Sequence, residues 1–216
     1  MTTEDPDITI EPILGLPEHL PEGEEVLWQG QPDWWVLAKE ALLVRWVIGY
    51  FALLAVWRVA TLIGKAPFTT VITAGIPFLA AGAVAAGIFM LMAYVLARTT
   101  VYTITNRRVV MRIGAALTIT LNLPFTQIRN AELDLRKAGT GTIALDLDRR
   151  TRLSYLVCWP HVRPWHIRQT KPALRCIKDA RKVAELLAEV AEAELGRPQI
   201  KRVTPEPTGA AHVPAE

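Results

Sequence analysis

Residues 66–97 read APFTTVITAGIPFLAAGAVAAGIFMLMAYVLA, 32 positions without a charged side chain. A helix needs about 20 apolar residues to cross the hydrocarbon core of a bilayer, so the run Ile72–Leu96 predicts a membrane span. Working back along the chain, Ala41–Ile63 is a second apolar stretch, interrupted by Arg45 and Arg58. Both arginines lie near its ends, where their aliphatic stems can carry the guanidinium to the headgroups. Trp34, Trp35, Trp46 and Trp57 fall near the expected water–lipid boundaries, as an aromatic belt requires. The expectation is a helical hairpin over residues 39–98, with spans at about 41–63 and 72–96. In its second helix Gly82 with Ala86, and Ala83 with Gly87, have the spacing that lets helices approach closely. Contact with the chain's own first helix is the simpler use of these positions, and a partner helix is the other.

The first 38 residues carry nine acidic side chains and no Lys or Arg, the reverse of a signal peptide's basic start. Prolines at 6, 12, 17, 21 and 32 make them read as an irregular acidic arm. The loop Gly64–Val71 holds only Lys65, whereas Lys39 and Arg45 precede the hairpin and Arg98, Arg107, Arg108 and Arg112 follow it. The positive-inside rule then places both termini in the cytoplasm. Cys158 and Cys176 are accordingly expected as free thiols in a reducing compartment.

After Arg98 the hydrophobic period changes from helical to two. Leu117, Ile119 and Leu121 alternate with polar residues, as do Ala131, Leu133 and Leu135, and Ile143, Leu145 and Leu147. Such alternation marks half-buried antiparallel strands. Strands are expected near 99–105, 108–113, 116–122, 127–136, 142–148 and 152–158, with a short seventh at 165–168. Val183, Leu186, Leu187 and Val190 share one face of a closing helix, with Asp179 in the N-cap position and Gly196 and Pro198 as stop signals. The fold class is therefore α+β: a transmembrane hairpin, then an antiparallel β-barrel or sandwich at 99–196 capped by a C-terminal helix. Residues 197–216 read as a disordered tail.

The run Tyr102-Thr103-Ile104-Thr105-Asn106-Arg107-Arg108-Val109, followed by Gly114 and Gly139-Thr140-Gly141, resembles the bacterial pleckstrin-homology-like family. More narrowly, the chain from about residue 10 to 196 resembles the PuhB-type photosynthetic complex assembly proteins of purple phototrophic bacteria, encoded with the reaction-centre H subunit. That likeness is carried by residues 20–30 (LPEGEEVLWQG), the hairpin, residues 159–165 (WPHVRPW) and the closing helix. The resemblance implies a non-enzymatic, multi-pass membrane protein of the bacterial cytoplasmic or intracytoplasmic membrane. It implies reaction-centre subunits as partners and a homodimer, and does not say which residues act.

The densest candidate site is residues 158–168, CWPHVRPWHIR. Cys158, His161 and His166 could supply metal ligands, but Pro160 and Pro164 fix the backbone and no second ligand pair accompanies them, so no metal is expected. Neither span contains a histidine for pigment ligation, and no cofactor is expected. Two readings of the segment stay open. Trp159, His161, Arg163 and Trp165 could form a partner-docking surface, since Trp and Arg dominate binding hot spots; alternatively, Trp159 plugs the barrel end and His161 satisfies a backbone carbonyl.

From Arg98 to Lys182 there are 17 Lys and Arg against 5 Asp and Glu. A basic domain tethered beneath a membrane is drawn toward anionic headgroups, with Arg107, Arg108, Arg149 and Arg150 on turns able to reach lipid or a partner. The acidic arm can fold back on this surface or leave it for a partner. No nucleic-acid partner is expected. No nucleophile elbow, P-loop or dinucleotide fingerprint occurs, so catalysis is not expected. The two functions weighed are a reaction-centre assembly factor and a general membrane-tethered lipid-sensing or stress module.

Overall fold

The computed structural model describes residues 20–114, 118–136, 139–148 and 153–196. Arg149 and Arg150, the tail at 197–216 and most of the acidic arm lie outside them. The elements run β1 (Val26–Gly30), α1 (Trp34–Glu40), α2 (Val44–Leu62), α3 (Phe68–Thr73), α4 (Ile76–Thr99), β2 (Val101–Thr105), β3 (Arg108–Ile113), β4 (Ile119–Pro124), β5 (Ile128–Leu135), β6 (Gly141–Leu147), α5 (Tyr155–Cys158), β7 (Ala173–Ile177) and α6 (Ala180–Leu195).

Two helical stretches, Val44–Leu62 and Phe68–Thr99, are long and apolar enough to cross a membrane. They pack side by side, and the small residues divide between two faces. Gly82 and Ala86 are buried, and a Cβ added at Gly82 would stand 2.6 Å from Cβ of Phe51 on α2. Ala83 and Gly87 are exposed, and Gly87 has nothing within 4 Å of the equivalent position. The Gly82–Ala86 pair therefore serves the chain's own hairpin, while Ala83 and Gly87 face outward. Trp46, Leu53, Val56 and Trp57 are exposed on the outer surface of α2.

The sheets are antiparallel, in the orders β1-β2-β3-β4 and β5-β6-β7. The barrel option does not close: among the described residues the two sheets are separate, because β4 leads through the 3-10 turn Phe125–Gln127 into β5 without pairing to it. The run expected as a strand at 152–158 is, from Tyr155 to Cys158, a single helical turn. The short strand expected at 165–168 is loop, and the seventh strand is Ala173–Ile177, buried at every position. That continuous burial removes the alternation by which a strand is recognised.

The arm also differs from expectation. Val26–Gly30 adds to the edge of the first sheet by pairing with β2, and Trp34–Glu40 forms a helix whose first turn is capped by the Asp33 carboxylate, which accepts from Trp35 N at 3.0 Å and Val36 N at 3.2 Å. This helix lies along the end of α4: Leu37 packs with Leu96 and Ala97, and Ala38 and Leu42 with Ala86 and Ala93. The core of the domain lies between the sheets and is closed by Val183, Leu187 and Val190 of α6. Each of these side chains gains about 1.5–3 kcal/mol from burial. Asp179 holds the N-cap position without a capping bond; its carboxylate lies 3.6 Å from Lys182 Nζ.

Candidate functional site

The Trp-Pro-His segment leaves α5 through the cis Trp159–Pro160 bond and then folds against the strand that follows it. Arg163 N donates to Lys171 O at 2.9 Å and Ala173 N to His161 O at 2.9 Å, so residues 161–163 run beside 171–173. The intervening residues form a projecting loop. At its tip Trp165 is 90 % exposed and holds φ at 66°, a left-handed conformation that a large side chain rarely adopts. Ile167 is 69 % exposed in the loop, and Leu156 on α5 is 84 % exposed. His166 Nδ1 bonds to Pro164 O at 2.9 Å.

His161 points the other way. Its Nδ1 lies 2.6 Å from the Tyr102 hydroxyl and its Nε2 lies 3.1 Å from the Thr100 hydroxyl, all three buried. The directions of these bonds follow from chemistry. Arg175 N donates to the Tyr102 oxygen at 3.3 Å, and burial raises the Tyr102 pKa, so the phenol keeps its proton. The phenol O–H then donates to Nδ1, which leaves the proton of the neutral imidazole on Nε2 to donate to Thr100. Burial first, and the Arg175 charge second, lower the His161 pKa to about 3. A buried polar group is tolerated when its bonds are made, and both nitrogens here are used. Since Thr100 directly follows α4, this network fastens the segment to the exit of the second apolar helix.

The four docking candidates thus separate. Trp165 is presented outward and Trp159 is 39 % exposed rather than plugging an end of the sandwich. Arg163 is held by Glu132, which also pairs with Lys171 at 2.9 Å. His161 is structural, bonded to side-chain hydroxyls rather than to the backbone carbonyl expected for it. Cys158 is buried and its pKa is raised by burial; Cys176 is buried, and burial pushes its thiol up to about 12. Both are free. Cys158, His161 and His166 do not converge, and among the described residues no cluster of His, Cys, Asp and Glu could hold a metal.

Of the two arginines expected on a turn, Arg107 lies in the bend after β2, at the end remote from α4, whereas Arg108 is the first residue of β3. Arg107 is exposed, whereas Arg108 forms a two-pronged ion pair with buried Glu24, Nε to Oε1 at 2.7 Å and Nη2 to Oε2 at 2.8 Å. Thr105 also donates to this carboxylate at 2.8 Å. The described part of the acidic arm has folded back on the basic domain, one of the two uses its charge allowed.

Sequence reasoning missed Arg175, which is 5 % exposed on β7 and donates from Nη1 to Pro160 O at 3.0 Å. Its side chain lines a cleft of about 240 Å³ between the β5–β6 hairpin and the Arg163–Pro164 corner. An arginine in a five-residue strand gives no local sign that it turns inward.

Comparison with known proteins follows the same outline. A family model described as bacterial PH domain matches residues 40–191. The chain is similar to an uncharacterized 23.7 kDa protein in the puhA 5' region of Rhodobacter capsulatus, 46 % identical over 214 residues, covering 98 % of this chain and 99 % of that protein. No solved structure gives a significant match. The hairpin, strands β2 to β7 and most of the closing helix fall within the matched span, with β1 before it, and the chain belongs to the bacterial PH domain family.

Proposed function

We propose that the protein is a non-enzymatic membrane assembly factor for the photosynthetic reaction-centre core. The observation that carries this reading is the near full-length relative in the puhA 5' region, which agrees with the genomic setting the sequence resemblance implies. In this reading α2 and α4 cross the cytoplasmic membrane with both termini in the cytoplasm, and the domain sits beneath the bilayer. The exposed Leu156, Trp165 and Ile167 dock a nascent reaction-centre subunit while its own surfaces are incomplete, since large apolar side chains held outward are suited to binding rather than to folding. Bonds of His161 to Thr100 and Tyr102 hold that surface at a fixed distance from the helices. The homodimer belongs to the same proposal and is checked by light scattering of the detergent-solubilised protein.

The test is deletion of the gene in its host. Reaction-centre abundance, read by near-infrared absorption and immunoblot, is expected to fall while bacteriochlorophyll synthesis continues. Normal reaction-centre levels in the deletion strain would refute the proposal.

A further inference from the structure

From Arg149 to Lys178 the chain runs thirty residues with eight Lys and Arg and no Asp or Glu. That run contains α5 and the projecting loop, and with them the exposed Leu156, Trp165 and Ile167. Acids from elsewhere in the domain offset only part of its charge. Glu132 and Asp146 reach it from the β5–β6 hairpin, and they are matched one for one by Arg163 and Lys171. Arg163 pairs with Glu132, and Lys171 Nζ lies 2.9 Å from Glu132 and 3.5 Å from Asp146. Lys178 lies 4.0 Å from Asp33, and Arg175 is buried. Arg168 is left over. It is exposed beside Ile167, and among the described residues no carboxylate pairs with it. Arg149, Arg150 and Arg152, outside the described residues, stand four to seven positions before Leu156 in the chain.

The same ion pairs fix the shape of the loop. Glu132 grips Arg163 and Lys171 on its two sides, Arg163 N donates to Lys171 O across its base, and Gln169 Nε2 donates to Asp146 Oδ1 at 3.4 Å. At the tip Trp165 is held at a φ of 66°, a conformation that persists only where its surroundings impose it. A bilayer, whose headgroups rearrange around whatever enters them, needs no such fixed presentation. A protein partner with one shaped pocket gains from it, because less conformational freedom is lost on binding.

We propose that the face carrying Leu156, Trp165 and Ile167 takes an acidic peptide segment of a protein partner. Apolar side chains of that segment cover Trp165 and Ile167, and Asp or Glu residues beside them meet Arg168 and the arginines ahead of α5. Rim charges of this kind set partner choice and the rate of encounter, while the aromatic anchor supplies most of the affinity. The assignment rests on the docking role proposed above and adds the chemistry of the partner; it does not depend on that partner being a reaction-centre subunit.

The experiment uses the full chain in phosphatidylcholine nanodiscs to select from a random peptide library displayed on phage, with Trp165→Ala as the counter-selection target. Peptides retained by the wild type alone are expected to combine Asp or Glu with Leu, Ile, Phe or Trp. For such a peptide made synthetically, Arg168→Glu should lower affinity about fivefold, and raising NaCl from about 0.05 M to about 0.5 M should also weaken binding. Both substitutions fall on exposed side chains of the loop, so the variants should fold. Peptides without acidic enrichment, no Trp165-dependent peptides at all, or affinity unchanged by Arg168→Glu would overturn the proposal. Phosphatidylglycerol vesicles are the second arm: vesicle binding that depends on Trp165 and Arg168, in place of peptide selection, would give the face to the membrane and overturn it as well. Reaction-centre levels in the deletion strain bear on the assembly role alone, so the two can fail separately.

Discussion

Acidification should destabilise the domain through His161, by an amount the structure allows to be worked out. The unfolded chain releases its imidazole to water, where the pKa returns to about 6.5, whereas the folded protein holds it near 3. Between these values the unfolded state binds a proton that the folded state does not. The contribution to stability is therefore fully present above about pH 6.5 and is lost as pH falls toward about 3. Each pH unit in that window costs about 1.4 kcal/mol, so lowering the pH from about 7 to about 5 removes about 2 kcal/mol. In a chain of this size that lowers Tm by about 4–8 °C. The assay is thermal unfolding in detergent at a series of pH values, comparing the wild type with His161→Gln. The variant starts from a lower Tm, having lost part of the Tyr102 and Thr100 network, but lacks the titrating group and should show a shallower pH slope. Isotope-labelled histidine gives a direct check: the His161 ring resonances should stay those of a neutral imidazole down to about pH 5. Equal slopes in the two proteins, or a His161 resonance titrating near 6.5, would refute the buried-network account.

Gly82→Leu should destabilise the hairpin by about 1–3 kcal/mol, because the new side chain meets Phe51, while Gly87→Leu should be tolerated; Tm of the two variants decides, and equal loss in both would contradict the assignment of faces. Glu24→Gln should cost about 2 kcal/mol in thermal stability by leaving Arg108 and Thr105 without their shared carboxylate. A Tm unchanged by this substitution would mean that the Glu24 contacts to Arg108 and Thr105 contribute nothing to stability. Both cysteine thiols should resist N-ethylmaleimide in the native protein and react after denaturation, as intact mass would read; rapid native labelling would contradict their burial and raised pKa values.

The hairpin and most strands were legible because their signals are local: length and apolarity for the helices, alternation for β4, β5 and β6, and a helical apolar stripe for α6. The acidic, proline-punctuated composition of the arm hid Val26–Gly30, whose strand character depends on the partner edge supplied by β2 some 75 residues later in the chain. Ala173–Ile177 escaped because a strand buried on both faces loses its alternation, and Arg175 within it looked like a surface charge. Tyr155–Cys158 has the β-branched and aromatic content of a strand, yet the fold closes it into one helical turn before Pro160. At the candidate site the sequence singled out residues 158–168 by their composition. It could not divide them into an inward histidine and an outward tryptophan, since that division is set by Thr100 and Tyr102, about 60 residues away.

Complementation of the deletion strain tests the central claim most directly. Wild-type protein and the triple variant Leu156→Ala, Trp165→Ala, Ile167→Ala would be expressed to matched levels in the membrane and reaction-centre abundance measured in each. These side chains are exposed and contribute little to folding, so the variant should accumulate normally. The account predicts that the wild type restores reaction centres and the triple variant does not. Full restoration by the triple variant would contradict it.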